Sequence, residues 1–260
     1  MTRHLLSTLA ALVLAAPLSV TSVAATTIVI DDFTENQSAV RANEGPTSGF
    51  VCGAATTSII GGCRYLQVAT SQGQEGTSLG VDLGALSFAN GPVSTGTGWI
   101  IYDANGDRTG ADFVAEVNGV DFEASVFKSG LGGADLLRGQ ETGFFTITPA
   151  EFDQTAGDVL NFSAFAWDTF GNAVSYFEEV NLVSFSPILG YNEFAGDAGF
   201  RWDSIGALAF RVDSRNVAFD GQIRSITATP IPLPASALLL LGGLGGMAGW
   251  SMAAKRRRKS

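Results

Sequence analysis

Histidine is almost missing from this chain: among its 260 residues there is one, His4. It lies within a segment read below as a leader, so the exported protein is expected to carry no imidazole at all. That excludes Ser-His-Asp catalysis, histidine-based zinc sites and imidazole acid–base chemistry. Lysine is nearly as scarce, Lys128 being the only one ahead of the C-terminal cluster, and no Walker-type phosphate loop occurs. Cysteine is limited to Cys52 and Cys63, and with no histidine to activate a thiol a catalytic cysteine is disfavoured. Positive charge is also sparse. All 25 acidic residues lie between Thr26 and Thr229 with only nine of the 15 basic ones, so this stretch carries −16 where the whole chain carries −10. Such a field repels phosphate backbones and excludes nucleic acid as a partner. It suits divalent cations, basic partners or solubility in salty surroundings.

The two ends carry targeting sequence. Arg3 precedes an apolar run, Leu5 to Ala16, and Ser22-Val23-Ala24-Ala25 supplies small residues for cleavage before Thr26. The run is too short for a bilayer core of about 30 Å. Residues 235–254 bear no charge, the length a spanning helix needs, and Lys255-Arg256-Arg257-Arg258-Lys259 follows directly. The positive-inside rule puts that tail in the cytoplasm and everything upstream outside. The expected division is a signal peptide (1–25), an outer domain (26–229), a Pro-rich stretch (230–234), a transmembrane helix (235–254) and a basic tail (255–260).

Within the outer domain, short apolar runs are broken by Gly, Asn, Asp and Pro, which predicts an all-β fold. The expected strands are Thr27–Ile30, Trp99–Tyr102, Phe113–Val117, Val120–Phe127, Phe144–Thr148, Val159–Trp167, Val180–Phe185, Ala207–Val212 and Ile223–Ala228. Asn105-Gly106 and Asn118-Gly119 read as tight turns whose residues tolerate φ > 0. In Leu208-Ala209-Phe210-Arg211-Val212-Asp213 the apolar side chains take one face and Arg211 and Asp213 the other, as in a sheet with one buried and one wet surface. Residues 129–142 read as a long loop or a short helix. Pro230, Pro232 and Pro234 cannot all hold a ladder, so the chain is expected to leave the fold there as an extended linker. The expected architecture is a two-sheet antiparallel sandwich, jelly-roll-like.

Ile231-Pro232-Leu233-Pro234-Ala235, followed by an apolar Gly-rich helix and a terminal Arg cluster, resembles the PEP-CTERM sorting signal in its VPLPA form, with Ile231 where the pattern has Val. The resemblance implies an exosortase substrate of a Gram-negative bacterium. Such a protein is exported, held in the membrane by the helix and cut near the Pro motif by a membrane-embedded cysteine enzyme. It also implies association with exopolysaccharide and biofilm. Ile30-Asp31-Asp32-Phe33 with Gln37-Ser38, and Ile205-Gly206-Ala207-Leu208, resemble a sandwich module common in such proteins.

Four candidate sites remain inside the outer domain. Cys52 and Cys63, in a chain bound for an oxidising compartment, are expected to pair as a disulfide. Asp103, Asn105 and Asp107 place oxygen ligands at alternating positions, with Thr109 and Asp112 behind, like the first half of a calcium loop. The later glutamate of an EF-hand is missing, and the Asn-Gly turn accounts for the same residues. Trp99 and Trp202, each beside a turn or a charge, are candidates to stack a sugar ring, against which stands ordinary core packing. Glu178-Glu179 and Asp31-Asp32 are adjacent pairs that a strand would point to opposite faces, so they make poor catalytic dyads. The expected function is a non-catalytic surface or matrix protein. A carbohydrate-binding module is the alternative, and a glycan-active enzyme using carboxylates from distant strands comes last.

Overall fold

The computed structural model describes residues 26–43, 45–53, 58–73, 75–152, 159–181, 188–215 and 218–232. The expected signal peptide, transmembrane helix and basic tail lie outside the described residues, as do Leu233, Pro234 and Ala235 of the Pro motif. Among the described residues no helix is long and apolar enough to cross a membrane.

The strands, in chain order, are β1 (Ile28–Asp31), β2 (Gln37–Ala42), β3 (Thr47–Cys52), β4 (Cys63–Gln72), β5 (Thr77–Asp82), β6 (Ala85–Asn90), β7 (Thr95–Tyr102), β8 (Asp112–Val117), β9 (Val120–Val126), β10 (Thr142–Phe152), β11 (Val159–Asp168), β12 (Ala173–Asn181), β13 (Ile188–Gly190), β14 (Ala195–Gly196), β15 (Ile205–Ser214) and β16 (Asp220–Ile231). They form a two-sheet antiparallel sandwich. The first sheet runs β13-β10-β16-β6-β5-β2, with β1 also on β16, and the second runs β14-β12-β11-β15-β7-β4-β3. The only helical pieces among the described residues are two three-residue 3-10 turns.

Alternation builds the core between the sheets. Leu208, Phe210 and Val212 of β15, Phe162 and Ala164 of β11, and Phe145 and Ile147 of β10 all enter it. Arg211 and Asp213 take the opposite face, as expected. That face, however, is wet over only part of its area. The β8–β9 hairpin lies across it as a third layer, burying Ala207 and Ala209 together with Trp99, Ile101, Phe165 and Trp167. Covered on both faces, β7 is buried along all eight of its residues. Edge strand β9 is protected in an unusual way. The carbonyls of Asp121, Glu123 and Ser125 accept from Arg211 Nη1, Gln67 Nε2 and Arg108 Nη2, so side chains of the sheet beneath satisfy groups that an edge would leave open.

Three sequence expectations are corrected. The strand expected at Val180–Phe185 instead occupies Ala173–Asn181, with 182–187 outside the described residues. Its polar residues Ser175, Glu178 and Glu179 masked the alternation. Pro230 does not end the last strand, since the β10–β16 ladder pairs it with Gly143 and Ile231 with Thr142. On its other side β16 is matched by β1 only as far as Ala228, and a strand with one partner tolerates a proline's missing N–H. The two Asn-Gly pairs also differ. Asn118 and Gly119 both have φ > 0 and close the β8–β9 hairpin at Val117 and Val120. Neither Asn105 nor Gly106 does, and the left-handed residues there are Ala104 and Arg108. Segment 127–141 is a loop, laid along the start of β15 by bonds such as Leu131 N to Gly206 O at 2.8 Å.

Candidate functional site

The Ile30-Asp31-Asp32-Phe33 segment forms the centre of a buried polar cluster. A register shift between Val29 and Asp31 turns both Ile30 and Asp31 inward. Asp31 Oδ2 accepts from Arg64 Nη1 at 2.7 Å and from the Tyr102 hydroxyl at 3.0 Å, while Oδ1 accepts from Phe33 N at 2.8 Å. Arg64 gives Nε to Gln37 Oε1 at 3.0 Å and Nη2 to the Glu35 carbonyl at 2.6 Å. Both members of the ion pair are 0% exposed. Burial pushes the Asp31 carboxyl above its ordinary range, with the Arg64 charge pulling it back. Burial, then the Asp31 charge, drives Tyr102 well above the usual phenol range, so its hydroxyl stays a donor. With both charges of the ion pair buried and answered internally, the cluster joins β1, β2, β4 and β7.

Next to it is the disulfide. Cys52 and Cys63 face each other across β3 and β4 with Cα atoms 4.1 Å apart, and they are bonded. The bridge places Arg64 one residue beyond a covalent tie. The excursion it closes is not empty of packing, since Ile59 is buried and bridges to Asp31. Thiol labelling of the unreduced protein should find no free cysteine, and reduction should cost about 2–3 kcal/mol for so short a loop. Two reactive thiols before reduction would refute the pairing.

Gly106 rests on that disulfide: a Cβ there would lie 2.5 Å from Cys52 Sγ, so glycine is required for space rather than for φ. The candidate calcium ligands around it are dispersed. Asp103 is buried, and its Oδ2 accepts from Arg108 Nη1 at 2.6 Å and from Phe127 N at 2.9 Å. Asn105 gives its Nδ2 to the Thr109 carbonyl, and Asp107, exposed, accepts from Thr109 N. That last bond holds the Asp107 carboxyl below its ordinary range. Asp112 is exposed on β8, opposite Val126. The positive charge of this loop is thus Arg108, which also lies 4.0 Å over the Tyr65 ring. Among the described residues no three His, Cys, Asp or Glu side chains gather as a metal site requires.

The sugar candidates are packed. Trp99 is 2% exposed, under the hairpin, and has no face for a ligand. Trp202 is half-buried, stacked on Tyr191 at 4.0 Å and met edge-on by Phe145, Phe194 and Phe200. Tyr102, Trp167 and Tyr191 are buried as well. Among the described residues the exposed aromatics are phenylalanines, Phe50, Phe113, Phe170 and Phe177 among them, which a search for Trp and Tyr passes over.

The carboxylates do not form a dyad. Glu178, half-buried, accepts from the Tyr176 hydroxyl at 2.7 Å, and burial with this bond raises the Tyr176 phenol. Glu179 is exposed, one residue on and facing the other way. Gly76-Thr77-Ser78-Leu79-Gly80 has the spacing of a serine nucleophile elbow, a match that sequence reasoning missed. Its context is wrong for that role, because Ser78 lies within β5 between Arg41 and Ala89 rather than at a strand-to-helix turn.

No family model matches the chain, and no curated protein matches it.

Proposed function

We propose that the jelly-roll-like sandwich is a non-catalytic surface or matrix module, exported and delivered by a removable C-terminal sorting signal. What carries the reading is where the fold ends. The last ladder closes at Thr142 and Ile231, so the sandwich is complete as the Pro motif begins. An order of motif, apolar stretch and basic cluster after a finished domain suits a temporary anchor, with the helix held at fixed depth and the cations stopping transfer. The Cys52–Cys63 bridge supports an oxidising destination. The absence of histidine from residues 5–260 supports a role without imidazole chemistry.

The partners of this reading are the membrane and an exosortase-type processing enzyme, with exopolysaccharide at the final location. The test is the intact mass of the mature protein from cells with and without that enzyme. The apolar stretch and basic tail, 235–260, should be lost only in its presence, and Pro232→Ala with Pro234→Ala should slow the loss. Retention of the tail in both strains overturns the sorting reading.

A further inference from the structure

The outer face of the first sheet is hollowed where β2 meets β5. Gln37 faces Val81, but the next match is Val40 with Leu79, so β2 takes three steps where β5 takes two. The extra residue is a β-bulge, and Ser38 and Ala39 within it are both exposed. Ala39 leans over β5: a Cβ on Gly80 would lie 2.7 Å from the Ala39 Cα, so only glycine lets the strands come so close. Beside this overhang is an open cleft of about 450 Å³, lined by Asn36, Ser38, Ala39, Ser78, Asp82 and Ser87 among others. A second cleft of about 230 Å³, bounded by Arg41, Asn43 and Glu75, adjoins it at Ser78. Together they follow β5 from Thr77 to Asp82, about 17 Å of strand.

We propose that this groove binds an uncharged glycan chain. The backbone of β5 is paired with β2 on one side and β6 on the other, so an extended peptide finds no free edge along the floor. What the floor and walls offer is side chains, and in the larger cleft these are hydroxyls and an amide. Those of Asn36, Ser38, Ser78 and Ser87 have no hydrogen-bond partner among the described residues, and none of the four is buried. Each serine hydroxyl donates or accepts, as the hydroxyls of a sugar do in return. Apolar ligands are poorly served, because Val81 is turned into the core and Ala39 is the largest apolar side chain left. Charge lies at the two ends, Asp82 at one and Arg41 with Glu75 at the other. The −16 of residues 26–229 repels a polyanion, and Arg41 stands against a polycation. No aromatic lines either cleft, so stacking contributes nothing and binding is a sum of hydrogen bonds over several sugar units. The inference does not rest on the sorting reading, since a groove on β2, β5 and β6 is unaffected by what happens after Ile231.

The experiment is calorimetric titration of the full-length protein, in a detergent without a sugar headgroup. The probes are cellohexaose, laminarihexaose and maltohexaose, with glucose as a single unit and alginate and chitosan as charged controls. At least one hexaose should bind saturably, and glucose should bind about tenfold more weakly or less. Ser78→Tyr, which plants a ring where the two clefts meet, should abolish hexaose binding. Ser78→Ala with Ser87→Ala, which leaves the groove open, should weaken it about fivefold or more. Circular dichroism and melting should match the wild type in both, and Glu179→Tyr, on the second sheet, should leave binding unchanged. Absence of saturable binding by all three hexaoses overturns the proposal. So does binding confined to a charged control, binding that survives the Ser78 variants, or glucose binding as tight as that of the hexaoses.

Discussion

Arg64→Met should cost the sandwich about 3–5 kcal/mol, because it leaves the Asp31 carboxylate buried without its counter-charge. Asp31→Asn combined with Arg64→Met should cost clearly less than Arg64→Met alone, since the stranded charge is then gone, the amide oxygen can still accept from Phe33 N, and the amide NH2 can donate to the Tyr102 hydroxyl. The deficit of the single variant should also depend on pH. Burial already raises the Asp31 carboxyl, and loss of Arg64 removes the main force opposing that shift. A carboxyl whose folded-state pKa lies above its unfolded value stabilises fully below the unfolded value and loses that contribution as pH rises through the folded one. The variant should therefore come closest to the wild type below about pH 4 and fall furthest behind near neutrality. Urea denaturation of the three proteins at both pH values is the measurement. A single-variant cost under about 1 kcal/mol, or a double variant as unstable as the single one, means the pair is not what joins these four strands.

The same cluster marks the limit of what could be read without coordinates. Alternating runs such as those in β11 and β15 announced themselves, because each carries three or more large apolar residues at a spacing of two. The block from β2 to β6 did not. Half of the residues of Gln37–Ala42, Thr47–Cys52 and Thr77–Asp82 are Ser, Thr, Gly or Ala, and their strand state comes from the neighbours they pair with rather than from their own propensity. Arg64 reads from sequence as a surface residue. Its burial depends on Asp31, 33 residues earlier, and on Gln37 and the Glu35 carbonyl, a meeting no local pattern encodes. The Cys52–Cys63 pairing was legible, since the chain offered no other choice. The metal and sugar candidates were legible as residue types but not as places: Arg108 answers Asp103 from within the loop, and the hairpin hides Trp99.

Phe122→Ala should detach the hairpin layer. Phe122 is fully buried between β9 and the second sheet, its ring 5.0 Å from Phe165 and 5.1 Å from Trp167, edge-on to both. Removing it takes away the largest side chain the hairpin contributes to that contact, a loss of about 3–5 kcal/mol for a buried phenylalanine. Polar ties remain, among them Arg211 Nη1 to the Asp121 carbonyl and Asn118 Nδ2 to the carbonyls of Ala173 and Ala195. These hold the hairpin's position without excluding water from beneath it. The loss should therefore appear first as local opening. Tryptophan emission should shift to the red as Trp99 and Trp167 become wetted, and amides of β8 and β9 should exchange faster than those of β10 and β16. Phe122→Leu, which keeps most of the apolar volume, should retain the blue emission and most of the stability. The sandwich core between the sheets contains none of these residues, so it should keep its cooperative unfolding transition in both variants. If Phe122→Ala leaves emission and exchange as they were, the hairpin is not held by its aromatic contact. If instead the whole sandwich melts with it, the third layer is part of one cooperative unit rather than a cover laid upon it.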